Sequence, residues 1–345
     1  MAMIMVELWI ISMTAFCIAD VSPPFLTVNL DVPPEERWAP LVELFDVSLL
    51  RQAAAEVTWS MVPKWVHHAA IPILKHLENN LPPPYGKELQ GMASYYGINI
   101  SEMILLNFAY EFTAFCTSVI AQDSKGNLYH GRNLDYPYGH IRNITIDVSF
   151  IRNGKELYRG TTFAGYIGLW TGQSSKKFSV TGNERSKAGQ WWDNLIAAVM
   201  KNMPAGWLLR QTLEEAANFQ EAVMRLSTVP LITDVYYIIG GVHPGEGVVV
   251  TRDRGGPADI WPLDLLNGGW YLVEVNSDHW LPALDDYQRI AARWTLNRIG
   301  RDNMNFEMLY EVLSVGAVCN RATIYTTVMS AAEPKYETVL RQCTN

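Results

Sequence analysis

A change of period at residues 115–116 constrains this chain more than any other feature of its sequence. Upstream, apolar residues recur at helical spacing: Trp38, Leu41, Leu44, Phe45, Val47, Leu49 and Leu50, then Trp65, Val66, Ala69, Ile71, Leu74 and Leu77. Pro82, Pro83 and Pro84 close the second stretch, 62–81, because proline offers no amide hydrogen to a helix interior. A third helix is expected over 101–110, with Ser101 as its N-cap. Downstream, alternation takes over. Residues 116–122 read as a strand, 123–126 as a turn and 127–133 as the returning strand. A second hairpin, 144–150 with 156–161, closes around Asn153-Gly154, a pair suited to the left-handed conformation of tight turns. Further strands are expected at 235–240, 247–252, 270–276 and 322–329, and helices at 193–200, 207–226 and 286–298. Paired strands and blocks of helices predict an α+β chain: two antiparallel sheets with helices packed outside them.

Composition narrows the function. Only 18% of the 345 residues are charged and 49% are apolar, so the chain can bury a large core and disorder is excluded. Acidic residues outnumber basic ones, 35 to 27, and no basic run exists, which sets nucleic-acid binding aside. There is no Gly-rich phosphate loop, G-x-S-x-G, H-E-x-x-H or paired C-x-x-C, and no cofactor or metal is expected. His67 and His68 are adjacent on a predicted helix and point to different faces. Protonating all seven histidines in an acidic lumen would cancel most of the formal charge of -8 and ease contact with anionic lipid.

Residues 1–19 read as a signal peptide. Leu8 to Ile18 is uncharged, too short for a membrane span, and Cys17-Ile18-Ala19 offers a small-x-small cleavage site. Glu7 and the lack of a lysine or arginine before Arg37 depart from that pattern and fit a buried amphipathic helix instead. Asn99-Ile-Ser101 and Asn143-Ile-Thr145 are glycosylation sequons, consistent with the secretory pathway. Beyond residue 19 the cysteines are Cys116, Cys319 and Cys343; the last two are available to pair, which leaves Cys116 to be explained.

Centring the first turn on Ser124 and Lys125 sets Cys116 opposite Asn133, with Arg132 and Asp135 beside or diagonal to it. A guanidinium there would stabilise a thiolate and lower the thiol pKa, and a carboxylate would orient an amine or the arginine. The same spacing also fits a small buried cysteine beside an edge-strand ion pair.

The run FCTSVIAQDSKGNLYHGRNLDYP, residues 115–137, resembles the cleavage site and first hairpin of the acid ceramidase family. So do GTTFAGYIGLWTGQ (160–173), DVYYIIGG (234–241), GPADIWPLD (256–264) and IYTTVMSA (324–331). The resemblance covers most of the chain beyond residue 19. It implies an N-terminal-nucleophile hydrolase with an αββα sandwich, made as an inactive precursor. Self-cleavage between Phe115 and Cys116 would give a helical α-chain, 20–115, and a catalytic β-chain, 116–345, held together as a heterodimer. It further implies Cys116 as the nucleophile, with Arg132 and Asp135 as partners of its thiolate and new amine. Asn276 would donate to the oxyanion, and Glu184 would take a polar position whose task is open. Tyr136 and Trp170 would line the substrate pocket, although a strand-terminal turn also accounts for Asn276 and core packing for Trp170. The implied activity is lysosomal hydrolysis of fatty-acid ethanolamides such as palmitoylethanolamide, with ceramide hydrolysis or non-catalytic lipid binding as alternatives. The helix 62–81, with Trp65, Val66, Ala69 and Ile71 between Lys64 and Lys75, suits an anionic membrane surface and equally suits a core-facing stripe.

Overall fold

A computed structural model describes residues 21–62, 70–109, 111, 115–137, 139–185, 191–282 and 286–344. The expected signal segment and Trp65, Val66, Ala69 and the His67-His68 pair lie outside the described residues.

Two sheets carry the fold. The first holds β2 (Phe115–Gln122), β3 (Leu128–Asp135), β11 (Tyr271–Glu274), β12 (Thr323–Ser330) and β13 (Lys335–Leu340), in the order β11-β2-β3-β12-β13. The second runs β1-β4-β5-β6-β7-β8-β9-β10. Its members are β1 (Phe25–Asn29), β4 (Thr145–Arg152), β5 (Lys155–Phe163), β6 (Thr171–Ser174), β7 (Phe178–Glu184), β8 (Val235–Gly240), β9 (Gly247–Asp253) and β10 (Gly256–Pro262). Every pairing is antiparallel except β1 with β4, where Phe25–Asn29 adds a parallel edge strand. The N-terminal segment is therefore not purely helical: it enters the sheet of the C-terminal part before its helices begin.

Those helices are α1 (Leu41–Leu44), α2 (Val47–Met61), α3 (Ile71–Glu78), α4 (Tyr85–Tyr96) and α5 (Ile100–Ala109). Together with α6 (Trp191–Val199), α7 (Ala205–Glu215) and α8 (Phe219–Thr228) they cover the eight-stranded sheet through one large apolar cluster. On the other side, α9 (Tyr287–Ile299) and α10 (Phe306–Ser314) pack Ala292, Leu296 and Leu309 against Val119, Ala121 and Val328. Between the sheets Ile120 meets Tyr236, Ile238 and Val249. The layers are helix, sheet, sheet, helix, as the resemblance implies. Period two assigns the faces of β2: odd residues look to α9 and α10, even residues to the interior between the sheets.

Several local expectations change. The Asp123 carboxylate accepts from the amides of Lys125 and Asn127, each within 2.9 Å, and Gly126 has a φ of 94°. This side-chain turn closes five residues, so the ladder pairs Cys116 with Leu134 rather than Asn133. Asn99, not Ser101, caps α5, accepting from the Glu102 amide at 2.9 Å. The helix expected over 207–226 is two helices, because Ala216 is extended and the Asn218 side chain caps a new start. Cys319 and Cys343 form a disulfide with a Cα separation of 5.7 Å.

Candidate active site

The corrected register puts Cys116, Ser118, Arg132 and Leu134 on the interior face of the hairpin. Cys116 is completely buried there. Arg132 donates to its Sγ at 2.6 Å through one terminal nitrogen, which also reaches the Gly182 carbonyl at 3.3 Å. The other terminal nitrogen donates to the Trp170 carbonyl at 3.0 Å, the Thr171 hydroxyl at 2.6 Å and the Tyr325 hydroxyl at 3.3 Å. The planar fork is thus fixed by four strands other than its own, which a point-charge ammonium would not reproduce.

The backbone of Cys116 is held as well. Its amide donates to Asn276 Oδ1 at 2.8 Å, and Asn276 Nδ2 donates to the Glu184 carbonyl at 2.6 Å. Asn276 is placed two residues past β11, whose Glu274 pairs with Ser118. Asn183, the neighbour of Glu184, ties the same corner: it accepts from Ser118 Oγ at 2.8 Å and donates to the carbonyls of Glu274 and Val275 at 3.0 and 3.1 Å.

Asp135 is not on this face. It pairs with Phe115 and looks toward the helical layer, where Thr323, Asn320 and Gln288 donate to it at 2.7, 3.0 and 2.9 Å. It influences Cys116 through its charge and through the ladder opposite the Phe115–Cys116 bond. Beside it opens a groove of about 540 Å³, lined by Asn276, Ser277, Leu281, Tyr287, Gln288 and Asn320. Tyr136 is buried with its ring 6.0 Å from that of Phe163. The Trp170 ring is buried against Gly182, where an added Cβ would come within 2.6 Å of it; its carbonyl, not its ring, reaches Arg132.

Electrostatics corrects one expectation. In the intact chain, burial pushes the Cys116 thiol up to about 12, and the opposing pull of Arg132 does not offset it. In the intact chain Cys116 is held as a thiol. Burial also raises the Glu184 carboxyl to about 8 and lifts Asp135 above its usual range against its three donors. His130, enclosed with Ser179 and Thr181, is pushed down to about 3, so the histidines do not all charge in an acidic lumen. Asn99 and Asn143 are both exposed.

The sequence reading missed Thr171, Asn183, Gln288, Asn320, Thr323 and Tyr325. Thr171 and Tyr325 stand within stretches already singled out, GTTFAGYIGLWTGQ and IYTTVMSA, and Asn183 is next to Glu184. Gln288 and Asn320 carry no local signal; only the tertiary fold brings them to Asp135.

Comparison with known proteins gives consistent matches. Residues 116–258, beginning at Cys116, match the linear amide C–N hydrolases of the choloylglycine hydrolase family. Residues 21–81 match the model described as the beta subunit of N-acylethanolamine-hydrolyzing acid amidase. The Cavia porcellus N-acylethanolamine-hydrolyzing acid amidase is 52% identical over 94% of this chain and 93% of its own. That of Oryctolagus cuniculus is 54% identical over 92% of this chain and 90% of its own. Acid ceramidase of Homo sapiens is 34% identical over 93% of this chain and 86% of its own. The solved structure of a Caenorhabditis elegans N-acylethanolamine-hydrolyzing acid amidase ortholog matches with a TM-score of 0.60 at 38% identity, covering 66% of this chain and 100% of that chain.

Proposed function

Because the chain belongs to the N-acylethanolamine-hydrolyzing acid amidase family and is a hydrolase of linear amide C–N bonds, we propose that it cleaves long-chain N-acylethanolamines such as palmitoylethanolamide in the lysosome. The products are a free fatty acid and ethanolamine, and the active form is the chain cut between Phe115 and Cys116. The observation that carries this reading is the double hold on Cys116: Arg132 on its thiol and Asn276 on its amide.

Maturation uses that hold first. The Cys116 thiol adds to the Phe115 carbonyl carbon; the C–N bond breaks as the amide nitrogen takes a proton, leaving a thioester. Water then cleaves the C–S bond, releasing the Phe115 carboxylate and regenerating the thiol beside a new α-amine. A free α-amine normally titrates at about 7.7–8.0, so at acidic pH the new amine is an ammonium, and its added positive charge draws the thiol toward a thiolate–ammonium pair. Arg132 favours the thiolate, and Asp135, opposite the cut bond, supplies the negative charge for the ammonium.

Turnover repeats the chemistry on the lipid. The thiolate attacks the acyl carbon, ethanolamine leaves with the ammonium proton, and water hydrolyses the acyl thioester. An amide nitrogen carries two hydrogens, so Asn276 can serve the Glu184 carbonyl and the oxyanion together. The groove beside Asn276 suits the leaving ethanolamine, and Tyr136 suits the acyl side. Secretion, glycosylation at Asn99 and Asn143, and peripheral contact with anionic membrane complete the proposal; no helix of the described residues is long and apolar enough to cross a membrane.

The test is intact-mass analysis at acidic pH together with hydrolysis of palmitoylethanolamide beside ceramide. A β-chain starting at residue 116 and a preference for the ethanolamide are expected. Release of fatty acid from ceramide alone would move the chain to the ceramidase reading, and an uncut, inert chain would leave only lipid binding.

A further inference from the structure

The chemistry above leaves Glu111, a buried acid of the N-terminal segment, unused. Glu111 stands four residues before Phe115 and is 1% exposed. Its carboxyl accepts from the Tyr166 hydroxyl, and its two oxygens lie 3.3 and 3.2 Å from the Gly206 amide nitrogen. Gly206 is in the first turn of α7, whose N-cap Pro204 offers no side-chain cap. A carboxyl from the N-terminal segment therefore fills the place where unpaired helix amides favour an acceptor. One helical turn earlier, Asn107 donates to the Gly165 carbonyl at 2.9 Å and accepts from the Ile167 amide at 3.0 Å.

Both residues thus grip the loop 164–170 between β5 and β6. The loop ends at Trp170, whose carbonyl receives Arg132 at 3.0 Å, and the same guanidinium reaches Cys116 Sγ at 2.6 Å. The Leu169 amide donates to the Gly206 carbonyl at 3.1 Å, joining the first turn of α7 to the residue before Trp170. Packing leaves no slack along this path. A Cβ on Gly206 would lie 2.0 Å from the Tyr166 hydroxyl, and one on Gly168 would lie 2.4 Å from it.

We infer that Glu111 is a positioning residue for amide hydrolysis: with Asn107 it shapes the 164–170 loop, and through the Trp170 carbonyl it fixes Arg132 against Cys116. This rests on the reading of Cys116 and Arg132 as the catalytic pair. It gives the N-terminal segment a task that outlasts the cut, since Glu111 touches neither substrate nor reacting atoms.

The groups facing Glu111 are the phenols of Tyr166 and Tyr237, Tyr136 behind Tyr166, and the amides of Ala205 and Gly206; none of these is a cation. Burial accordingly pushes its carboxyl up to about 7. An opened loop would return it to the ordinary glutamate range. Raising the pH from 4.5 toward 7 therefore favours opening, and the grip is tightest in acid.

The experiment compares the full chain with Glu111→Gln, Glu111→Ala and Cys116→Ala, each scored for cleavage by intact mass. Turnover of palmitoylethanolamide and the pH dependence of Cys116 alkylation by iodoacetamide are then measured. Glu111→Ala is expected to lower kcat by roughly 10²-fold with KM little changed, and to shift the alkylation profile to higher pH. Glu111→Gln, which stays neutral, is expected to keep turnover at pH 5 and to lose the decline expected of the unsubstituted enzyme between pH 5 and 7. Folded Glu111→Ala with unchanged kcat and alkylation profile would overturn the inference, as would Glu111→Gln with the original pH profile. If Glu111→Ala does not fold, Glu111→Gln decides. An unsubstituted chain that stays uncut would instead remove self-cleavage, while its alkylation profile beside that of Glu111→Gln would still judge Glu111.

Discussion

Arg132 spends both terminal nitrogens on acceptors from β2, β6, β7 and β12 and from Trp170. Arg132→Lys keeps the charge and loses the fork, so kcat of correctly cut enzyme should fall by roughly 10²-fold or more. Near-normal turnover after intact-mass confirmation of the cut would show that charge alone suffices. Cys116→Ala should leave one uncut chain without amidase activity, because one thiol serves both reactions; a β-chain starting at residue 116 in that variant would refute this. At this scale the sequence revealed the participants better than their arrangement. Cys116, Arg132 and Asn276 do meet, but a turn one residue longer than expected moves Asp135 to the opposite face. The cause was legible only in part: Asp123 and Gly126 are ordinary turn residues, and nothing local says that the Asp123 carboxylate will span to Asn127.

Among the elements, α5 separates two roles of one asparagine. Asn99 caps the helix and is also the sequon acceptor, so Asn99→Asp should abolish the glycan while changing stability by less than about 0.5 kcal/mol. Asn99→Ala should cost about 1 kcal/mol in addition to the glycan. Glycosidase-sensitive mobility and melting curves check both, and a melting loss in Asn99→Asp equal to that of Asn99→Ala would remove the cap from the account. The hairpin at Asn153-Gly154 was legible because both residues need left-handed backbone, which they adopt at φ of 51° and 71°. Strand β8 was legible because its apolar run is uninterrupted. Strands β6 and β7 were missed because they are buried yet carry Thr, Ser, Gln and Asn, whose partners sit on other strands. Strand β1 was missed because its partner, β4, lies more than a hundred residues away and pairs with it in parallel.

For the molecule as a whole, four buried carboxyls set a direction with pH. Asp147, Glu111, Glu184 and Glu274 are raised by burial to about 6, 7, 8 and 8. The folded state therefore holds protons that the unfolded chain has released, and stability present in acid is lost as pH climbs from about 4 through those values. His130, depressed to about 3, acts the other way, but only below 6.5. The melting temperature should be higher at pH 5 than at pH 8, and the reverse order would contradict this assignment. The Cys319–Cys343 bond fixes the tail that follows β13, so Cys319→Ser with Cys343→Ser should cost roughly 3 kcal/mol, read as a lower melting temperature.

The parallel edge strand β1 has a consequence for the life of the cut protein. Phe25–Asn29 belongs to the piece that the proposed self-cleavage would detach, yet it is laid against β4 of the other piece. Before the cut, unfolding and refolding are events within one molecule, and the strand finds its place at the high local concentration its own tether provides. After the cut, recovering that edge is a meeting of two molecules, slower with every dilution. If the proposed cut is made, the mature form is a one-way product whose lifetime is set by how slowly it opens. Chains renatured from urea before cleavage should regain activity at any concentration, and chains cut first should regain it only when concentrated.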